Sequence, residues 1–165
     1  MASSSERFSN ELFEEALSDS LREFKHITGL KEEQKSCLRS VAERKDVFGI
    51  LLTGFRKSLI FQLLPRVMKV LWKLERATVL VVTPLVSIMQ DQVQELNRLG
   101  LRAFAIGLSD EEAEKELRSG AFHVDVIYGS PESWCSSVWA KELKGQLGKQ
   151  IAFLVADEAH AVSAW

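Results

Sequence analysis

Residue types that bind phosphate groups occur together in the stretch LLTGFRKSLIFQLLP, residues 51–65. Those standing where a phosphate-binding loop has them are Thr53, Gly54, Lys57 and Ser58. Lys57 would neutralise the β- and γ-phosphates of a nucleotide, and the Ser58 hydroxyl would ligate Mg²⁺. Arg56, however, occupies the position where the pattern G-x-x-x-x-G-K-[ST] has glycine. This stretch alone is therefore compatible with an intact loop, an impaired loop or a chance match at a helix start.

An acidic pair follows the last apolar run of the chain. The run IAFLVA (151–156) leads directly into Asp157 and Glu158, and carboxylates at the tip of a buried strand are costly unless a cation or another partner satisfies them. Asp157 would hold Mg²⁺, and Glu158 would orient or deprotonate an attacking water. An isolated pair of this kind is also compatible with a surface turn. Together with the phosphate loop, it predicts a site for nucleoside triphosphate hydrolysis.

The elements that must position these groups are short apolar runs alternating with helical stretches. The runs are residues 47–53, 78–82, 102–106, 123–128 and 151–156. Their alternation predicts an α/β fold with a parallel sheet of about five strands flanked by helices. Leu12, Phe13 and Ala16 begin a helical spacing that predicts an N-terminal helical extension, with Ser9 as its N-cap. Ligands of such sheets bind beyond the carboxyl ends of the strands, which is where the loop and the acidic pair lie.

Two other predicted strand ends carry hydroxyl groups beside a proline. VVTPLVSIMQDQV (81–93) contains Thr83, Pro84 and Ser87, and YGSPE (128–132) contains Ser130. Hydroxyls and helix N-termini at these positions suit the phosphates of a polynucleotide, although ordinary helix starts with proline show the same pattern. Downstream, Trp134 and Trp139 are predicted to pack in the core.

Composition limits the partners and the location. The chain has 165 residues, is 46% hydrophobic and carries a formal charge of −2, so a nucleic-acid contact must be local rather than spread over a basic surface. Cys37 and Cys135 lack metal or redox spacing and are predicted to be buried or half-buried free thiols. Neither a signal peptide nor a membrane-spanning run is evident in the sequence, which indicates a soluble intracellular chain.

Taken in order, the stretches TGFRKSLIFQLLP, VVTPLVSIMQDQV, YGSPE and VADEAHAVSAW resemble motifs I, Ia, Ib and II of superfamily 2 helicases. They are most similar to the RecQ-like group of ATP-dependent DNA helicases. Residues 24–34 resemble that group's adenine-sensing motif, with Lys31 and Gln34 in the places of its basic residue and its glutamine. On residue chemistry alone, Gln34 is suited to the N6 and N7 edge of adenine, but a solvated helix position is slightly favoured.

This resemblance covers roughly residues 20–165 and implies a RecA-like P-loop fold, ATP and Mg²⁺ as cofactors, and DNA, single-stranded or forked, as the partner. It implies 3′ to 5′ unwinding, in the nucleus or in a prokaryotic cytoplasm. The implied catalytic residues are Lys57, Asp157, Glu158 and His160, with His160 coupling the nucleotide site to the DNA side. The implied nucleotide-binding residues are Lys31, Gln34, Thr53, Gly54, Phe55, Arg56, Lys57 and Ser58, and the Mg²⁺ ligands are Ser58 and Asp157. The implied nucleic-acid contacts are Thr83, Pro84, Ser87, Ser130 and Trp165.

Two departures from the RecQ-like pattern leave alternatives open. Arg56 replaces a glycine, and the chain stops at Trp165, before motif III and the second RecA-like lobe. We therefore expect residues 1–23 to form a polar and helical segment and residues 24–165 to form a partial ATP-binding domain, truncated after the acidic strand. The alternative is a catalytically impaired module, derived from a helicase, that binds nucleic acid or a protein partner. A third alternative, a P-loop kinase for a small substrate, is disfavoured because such an enzyme does not need the Thr-Pro and Ser-Pro helix starts.

Overall fold

The computed structural model describes residues 8–52, 54–121 and 123–158. Within these ranges the helices are α1 (Asn10–Leu21), α2 (Glu32–Ala42), α3 (Lys57–Leu71), α4 (Val86–Arg98), α5 (Glu111–Ser119), α6 (Pro131–Cys135), α7 (Ser137–Leu143) and α8 (Gln146–Gln150). The strands are β1 (Thr78–Val82), β2 (Ala103–Ala105), β3 (Val126–Gly129) and β4 (Ile151–Ala156). The chain divides into two compact units, one ending at Glu75 and the other beginning at Arg76.

The first unit contains α1, α2 and α3, and both α1 and α2 contact α3. Phe13 and Leu17, four residues apart on α1, are buried, as is Leu38 on α2. The four-residue spacing of Phe13 and Leu17, and that of Leu38 and the buried Ala42, places apolar side chains on one face of each helix. The Ser9 hydroxyl accepts a hydrogen bond from the Leu12 N–H over 3.1 Å, which confirms the predicted N-cap of α1.

The apolar run at residues 47–53 is predicted as a strand, and for its described part this prediction is wrong. Residues 47–52 have no regular secondary structure. Phe48, Ile50 and Leu52 are 79%, 85% and 75% exposed. A strand needs a neighbour that pairs with its backbone N–H and C=O groups, and the pairing of the described sheet joins β1, β2, β3 and β4 only. Apolar composition alone does not supply that neighbour.

The second unit is built on a parallel four-stranded sheet in the order β2-β3-β1-β4. Leu80 in β1 pairs with Ile127 in β3 and with Leu154 in β4. The consecutive residues Val79, Leu80 and Val81 are all buried, so both faces of this central strand are covered. Four of the five predicted strands are thus confirmed, and the α/β class with them. None of the helices in the described ranges combines the length and apolar composition needed to cross a membrane.

Candidate nucleotide-binding and nucleic-acid-binding residues

The start of α3 offers a positive helix end that no acidic side chain of its own first turn neutralises. Glutamate stands in the first turn of α1, α2, α5 and α6, whereas α4, α7 and α8 resemble α3 in having no acidic residue there. Lys57 is the first residue of α3 and is exposed, and Ser58 follows it and is half-buried. The backbone N–H groups of this turn, the Lys57 ammonium and the Ser58 hydroxyl together form a suitable site for a phosphate anion.

Arg56 adopts a backbone conformation that normally favours glycine. Its φ and ψ are 45° and 57°, in the left-handed region, and it serves as the N-cap of α3 without a capping hydrogen bond from its side chain. This conformation costs a non-glycine residue about 1–2 kcal/mol. The loop therefore follows a path that a glycine would adopt more easily, and the arginine makes it a strained one. Gly54, with φ of 88°, also lies at positive φ, whereas Thr53 lies outside the described residues.

Gln34 connects the start of α2 to this loop. Its Oε1 accepts a hydrogen bond from the Lys31 N–H over 2.9 Å, and its Nε2 donates to the Phe55 carbonyl over 2.7 Å and, more weakly, to the Arg56 carbonyl at 3.4 Å. The side chain is buried, with 3% of its surface exposed, so the solvated-glutamine alternative is wrong. An amide oxygen has two lone pairs, and within the described part of the chain the Lys31 N–H occupies one of those on Gln34.

A cavity of about 280 Å³ lies beside these residues. Its lining residues are His26, Ile27, Thr28, Gly29, Lys31, Gln34, Gly54, Phe55, Arg56 and Leu59. Lys31 places its Nζ 3.7 Å from the centre of the Phe55 ring, a cation–π contact at the edge of the loop. The first unit therefore brings Lys31, Gln34 and the phosphate-type loop together around one cavity. A larger depression, about 430 Å³, lies in the second unit beside Asn97 and Arg102, where the sequence analysis places no chemistry.

The acidic pair lies at the carboxyl end of β4. The Asp157 N–H donates to the Val82 carbonyl over 2.9 Å, which continues the pairing with β1 by one residue. The Glu158 N–H donates to Asp157 Oδ1 over 3.1 Å, and Glu158 has a φ of 55°. This turn holds both half-buried carboxylates at the end of the sheet. His160 and Trp165 lie outside the described residues.

A metal ion bound by the described residues would take part of its coordination from a bound nucleotide or from water. In the ranges that the structure describes, no group of three or more His, Cys, Asp or Glu side chains is placed to hold a metal ion. Mg²⁺ is commonly bound through one or two carboxylates together with substrate phosphates and waters. In the second unit, Asp157 offers one such carboxylate at the end of β4, and in that manner of binding the nucleotide supplies part of the coordination.

The predicted nucleic-acid residues lie at the ends of the neighbouring strands β1 and β3. Thr83 is buried and its N–H donates to the Gly129 carbonyl over 3.1 Å, while its Oγ1 lies 3.4 Å from the Leu85 N. The Ser130 hydroxyl caps α6 by accepting from the Ser133 N–H over 3.1 Å. Ser87 is exposed, and Pro84 is half-buried. The Ser130 hydroxyl thus stabilises a helix start, as the ordinary capping interpretation expects, whereas α4 begins at its N-cap Leu85 without a side-chain cap.

Trp134 also lies at these strand ends, although its residue type and position in the sequence do not predict this. Its Nε1 donates to the Val81 carbonyl over 3.3 Å. The available signal was Gly129, because glycine inside a strand marks the close approach of another group.

The two cysteines have no disulfide partner. Cys37 is half-buried, but Cys135 is exposed, so the prediction of a buried or half-buried thiol is wrong for Cys135.

Known proteins resemble most of this chain. The DEAD/DEAH box helicase family matches residues 31–165. The ATP-dependent helicase wrn-1 of Caenorhabditis elegans is 37% identical over 153 residues, covering 92% of this chain and 14% of that protein. The probable ATP-dependent DNA helicase RecS of Bacillus subtilis is 33% identical over 151 residues, covering 90% of this chain and 28% of RecS. The RecQ-like DNA helicase blm-1 of Caenorhabditis elegans is 32% identical over 174 residues, covering 98% of this chain and 17% of that protein.

The fold also has a counterpart among solved structures. The DUF1998 helicase MrfA superposes with a TM-score of 0.65 at 21% identity, covering 96% of this chain and 24% of MrfA. At this identity the likeness supports the fold, which is that of a RecA-like lobe. The chain spans between 14% and 28% of the length of the three relatives above. These relatives confirm the resemblance to RecQ-like helicases, and the matched residues 31–165 show that the chain belongs to the DEAD/DEAH box helicase family.

Proposed function

We propose that this chain is the first ATP-binding lobe of a RecQ-type DNA helicase, which hydrolyses ATP with Mg²⁺ and unwinds DNA in the 3′ to 5′ direction. The observation that carries the proposal is the start of α3, where Lys57 and Ser58 stand at a helix end without an acidic residue of its own. Three named relatives that are helicases support the same function. The cell compartment would be the nucleus, or the cytoplasm in a prokaryote.

In the first unit, the proposed roles follow from the contacts around the cavity. Lys57 would neutralise phosphate oxygens, and the N–H groups at the start of α3 would donate to them. Gln34 lines the cavity, and among the described residues only the Lys31 N–H donates to its Oε1, so the second lone pair of that oxygen would accept from the N6 amino group of adenine. Lys31, held over the Phe55 ring, would add positive charge at the same edge.

In the second unit, the proposed roles belong to the ends of the strands. Asp157 would be the protein's carboxylate ligand for Mg²⁺, and Glu158 would orient or deprotonate the attacking water. Mg²⁺, when bound with the nucleotide, would neutralise charge that develops on the phosphates. His160 and Trp165 keep their predicted roles towards DNA. Single-stranded or forked DNA would contact Ser87, Ser130 and the backbone around Thr83 and Pro84.

A titration with a fluorescent ATP analogue in the presence of Mg²⁺ tests the nucleotide assignment. Lys57→Ala should weaken binding by about ten- to a hundredfold, because a charge-assisted phosphate contact contributes about 1.5–3 kcal/mol. Lys69→Ala is the matched control, since Lys69 lies in the last turn of the same helix, and it should bind as the wild type does. Equal affinity of Lys57→Ala and wild type, or no binding by the wild type, would show that this loop is not the nucleotide site.

The strained Arg56 backbone favours a second candidate, a helicase-derived module that binds nucleic acid or a protein without using ATP. A labelled single-stranded oligonucleotide separates the two functions. DNA binding by a wild-type chain that does not bind the ATP analogue would favour the module. Binding of both ligands would favour the ATP-dependent lobe.

A further inference from the structure

The indole of Trp134 touches the ends of two neighbouring strands. Its Nε1 donates to the carbonyl of Val81, near the end of β1, over 3.3 Å. Its ring also lies against Gly129, the last residue of β3. A Cβ placed on Gly129 would be 2.5 Å from Nε1 and 2.7 Å from Cε2 of this ring, so a residue larger than glycine would displace the indole.

The ring is held firmly from its other sides. Trp134 is 6% exposed and belongs to the core of the second unit. Trp139 packs against it edge to face, with ring centres 5.8 Å apart and an angle of 73° between the planes. The backbone N–H of Trp134 donates to the Ser130 carbonyl over 3.1 Å. The indole is therefore fixed relative to both the residue that follows β3 and the strand β1.

Core packing alone does not require this arrangement. A buried indole needs an acceptor for its N–H. That acceptor could equally lie on the same strand against which the ring packs. Here the acceptor is in β1 and the glycine is in β3. Adjacent strands lie about 4.8 Å apart, so that one nucleic-acid strand can meet both ends. A shift of either end would change the relative placement of Ser130 and the segment Thr83–Ser87, which joins β1 to α4.

We propose that Trp134 is a positioning residue for DNA binding, which keeps the end of β3, and so Ser130, in register with the Thr83–Ser87 segment that joins β1 to α4. The inference rests on the proposed DNA-binding function of these two strand ends. Trp134 would contact no DNA itself. It would act through the Val81 hydrogen bond and through its contact with Gly129.

The test uses the 165-residue chain, a fluorescein-labelled single-stranded oligothymidylate followed by anisotropy, and the fluorescent ATP analogue in parallel. Trp134→Phe keeps an aromatic ring over Gly129 but removes the N–H donor. We expect it to weaken oligonucleotide binding about two- to tenfold, the equivalent of one hydrogen bond, and to leave nucleotide affinity unchanged. Trp139→Phe is the matched control, because it trims the other indole of the pair and leaves the Val81 bond in place.

Gly129→Ala provides a second perturbation that leaves the indole chemically intact. Its Cβ would push the ring away, so it should weaken oligonucleotide binding in the same direction as Trp134→Phe. In a Trp134→Leu background the clash is absent, and Gly129→Ala should then have little further effect on DNA affinity. Such non-additivity would tie both residues to one contact.

The outcomes distinguish this inference from the proposed function. If the wild type binds the oligonucleotide and Trp134→Phe binds it equally well, the positioning role is wrong while the proposed function stands. Equal losses for Trp134→Phe and Trp139→Phe, or a loss of nucleotide binding together with DNA binding, would show that the indole serves the fold as a whole and would also overturn the inference. A wild-type chain that binds no oligonucleotide would remove the proposed DNA function and the inference with it.

Discussion

The side-chain amide of Gln34 donates a hydrogen bond to the backbone carbonyl of Phe55 over 2.7 Å, while its oxygen accepts from the Lys31 N–H over 2.9 Å. One buried side chain thus joins the start of α2 to the loop that precedes α3. Any group that binds at Gln34 would act on the loop through the same amide. The hydrogen bond to the loop and the proposed adenine contact therefore belong to the same planar amide group, so a movement of one moves the other.

Gln34→Ala should weaken binding of the ATP analogue and also reduce its preference over the corresponding GTP analogue. The weaker binding follows because the Phe55 carbonyl and the Lys31 N–H lose a partner, which costs about 1–3 kcal/mol when the group is buried. The lost preference follows because alanine has no acceptor for the adenine amino group. Parallel titrations with both analogues measure the two effects.

The matched control for Gln34 is Gln62→Ala, since Gln62 is also a buried glutamine of the first unit but does not line the cavity. It should leave the ratio of the two nucleotide affinities unchanged. A Gln34→Ala chain that loses affinity for both nucleotides by the same factor would show that Gln34 supports the loop without reading the base.

Strands whose residues are mostly β-branched or otherwise apolar could be predicted from the sequence where a neighbouring strand pairs with them. The runs at 78–82 and 151–156 are β1 and β4 with the predicted bounds, because β-branched and other apolar residues dominate both. The run at 47–53 has the same composition but was wrongly predicted. Strand formation depends on a hydrogen-bonding neighbour, and a local pattern carries no information on which segment provides it.

The site shows the same division between local and long-range information. Lys57 and Ser58 could be placed at a helix start because the signal is local. The burial of Gln34 could not be predicted, because it depends on the Phe55 carbonyl 21 residues away. The contact between Trp134 and Val81 spans 53 residues, and only the glycine at 129 indicated that another group comes close. Long-range contacts of this kind are set by tertiary packing, which periodicity does not encode.

Cys135 should react with iodoacetamide before Cys37. Cys135 is exposed, whereas Cys37 is half-buried, and burial raises the pKa of the Cys37 thiol. A raised pKa lowers the fraction of reactive thiolate at any given pH near neutrality. Peptide mapping after brief alkylation measures the order. A Cys135→Ser chain should retain only the slow reaction, and faster labelling of Cys37 in the wild type would contradict the described burial.

Leu154→Lys should reduce self-association of the chain. Leu154 is 72% exposed on β4, which lies at one edge of the described sheet, and exposed apolar edges favour pairing between molecules. Light scattering at matched concentrations should show a larger monomer fraction for this variant. Leu108→Lys is the control, because Leu108 is 41% exposed but lies outside the strands. Equal effects of the two substitutions would indicate that added charge, and not the sheet edge, is responsible.

Arg56→Gly should tighten binding of the ATP analogue. The φ of 45° at Arg56 is one that glycine adopts without the steric cost of a Cβ, and removing the side chain also lets a phosphate approach the backbone more closely. A gain of about 1 kcal/mol would correspond to about fivefold tighter binding. The hydrogen bonds that the Arg56 carbonyl accepts from Leu59 N–H and Gln34 Nε2 involve the backbone, so the substitution retains both.

Lys73→Gly is the matched control for Arg56→Gly. Lys73 also has a left-handed backbone, with φ of 52°, and lies in the first unit beyond the end of α3. Both substitutions should relieve strain and raise the melting temperature, but only Arg56→Gly should change nucleotide affinity. If Arg56→Gly instead weakens binding while Lys73→Gly leaves it unchanged, the Arg56 guanidinium contacts phosphate and compensates for the missing glycine. Because Arg56→Gly and Lys73→Gly share the backbone effect and differ in position, the sign of the Arg56→Gly effect on nucleotide affinity decides whether the arginine impairs the loop or contributes to binding.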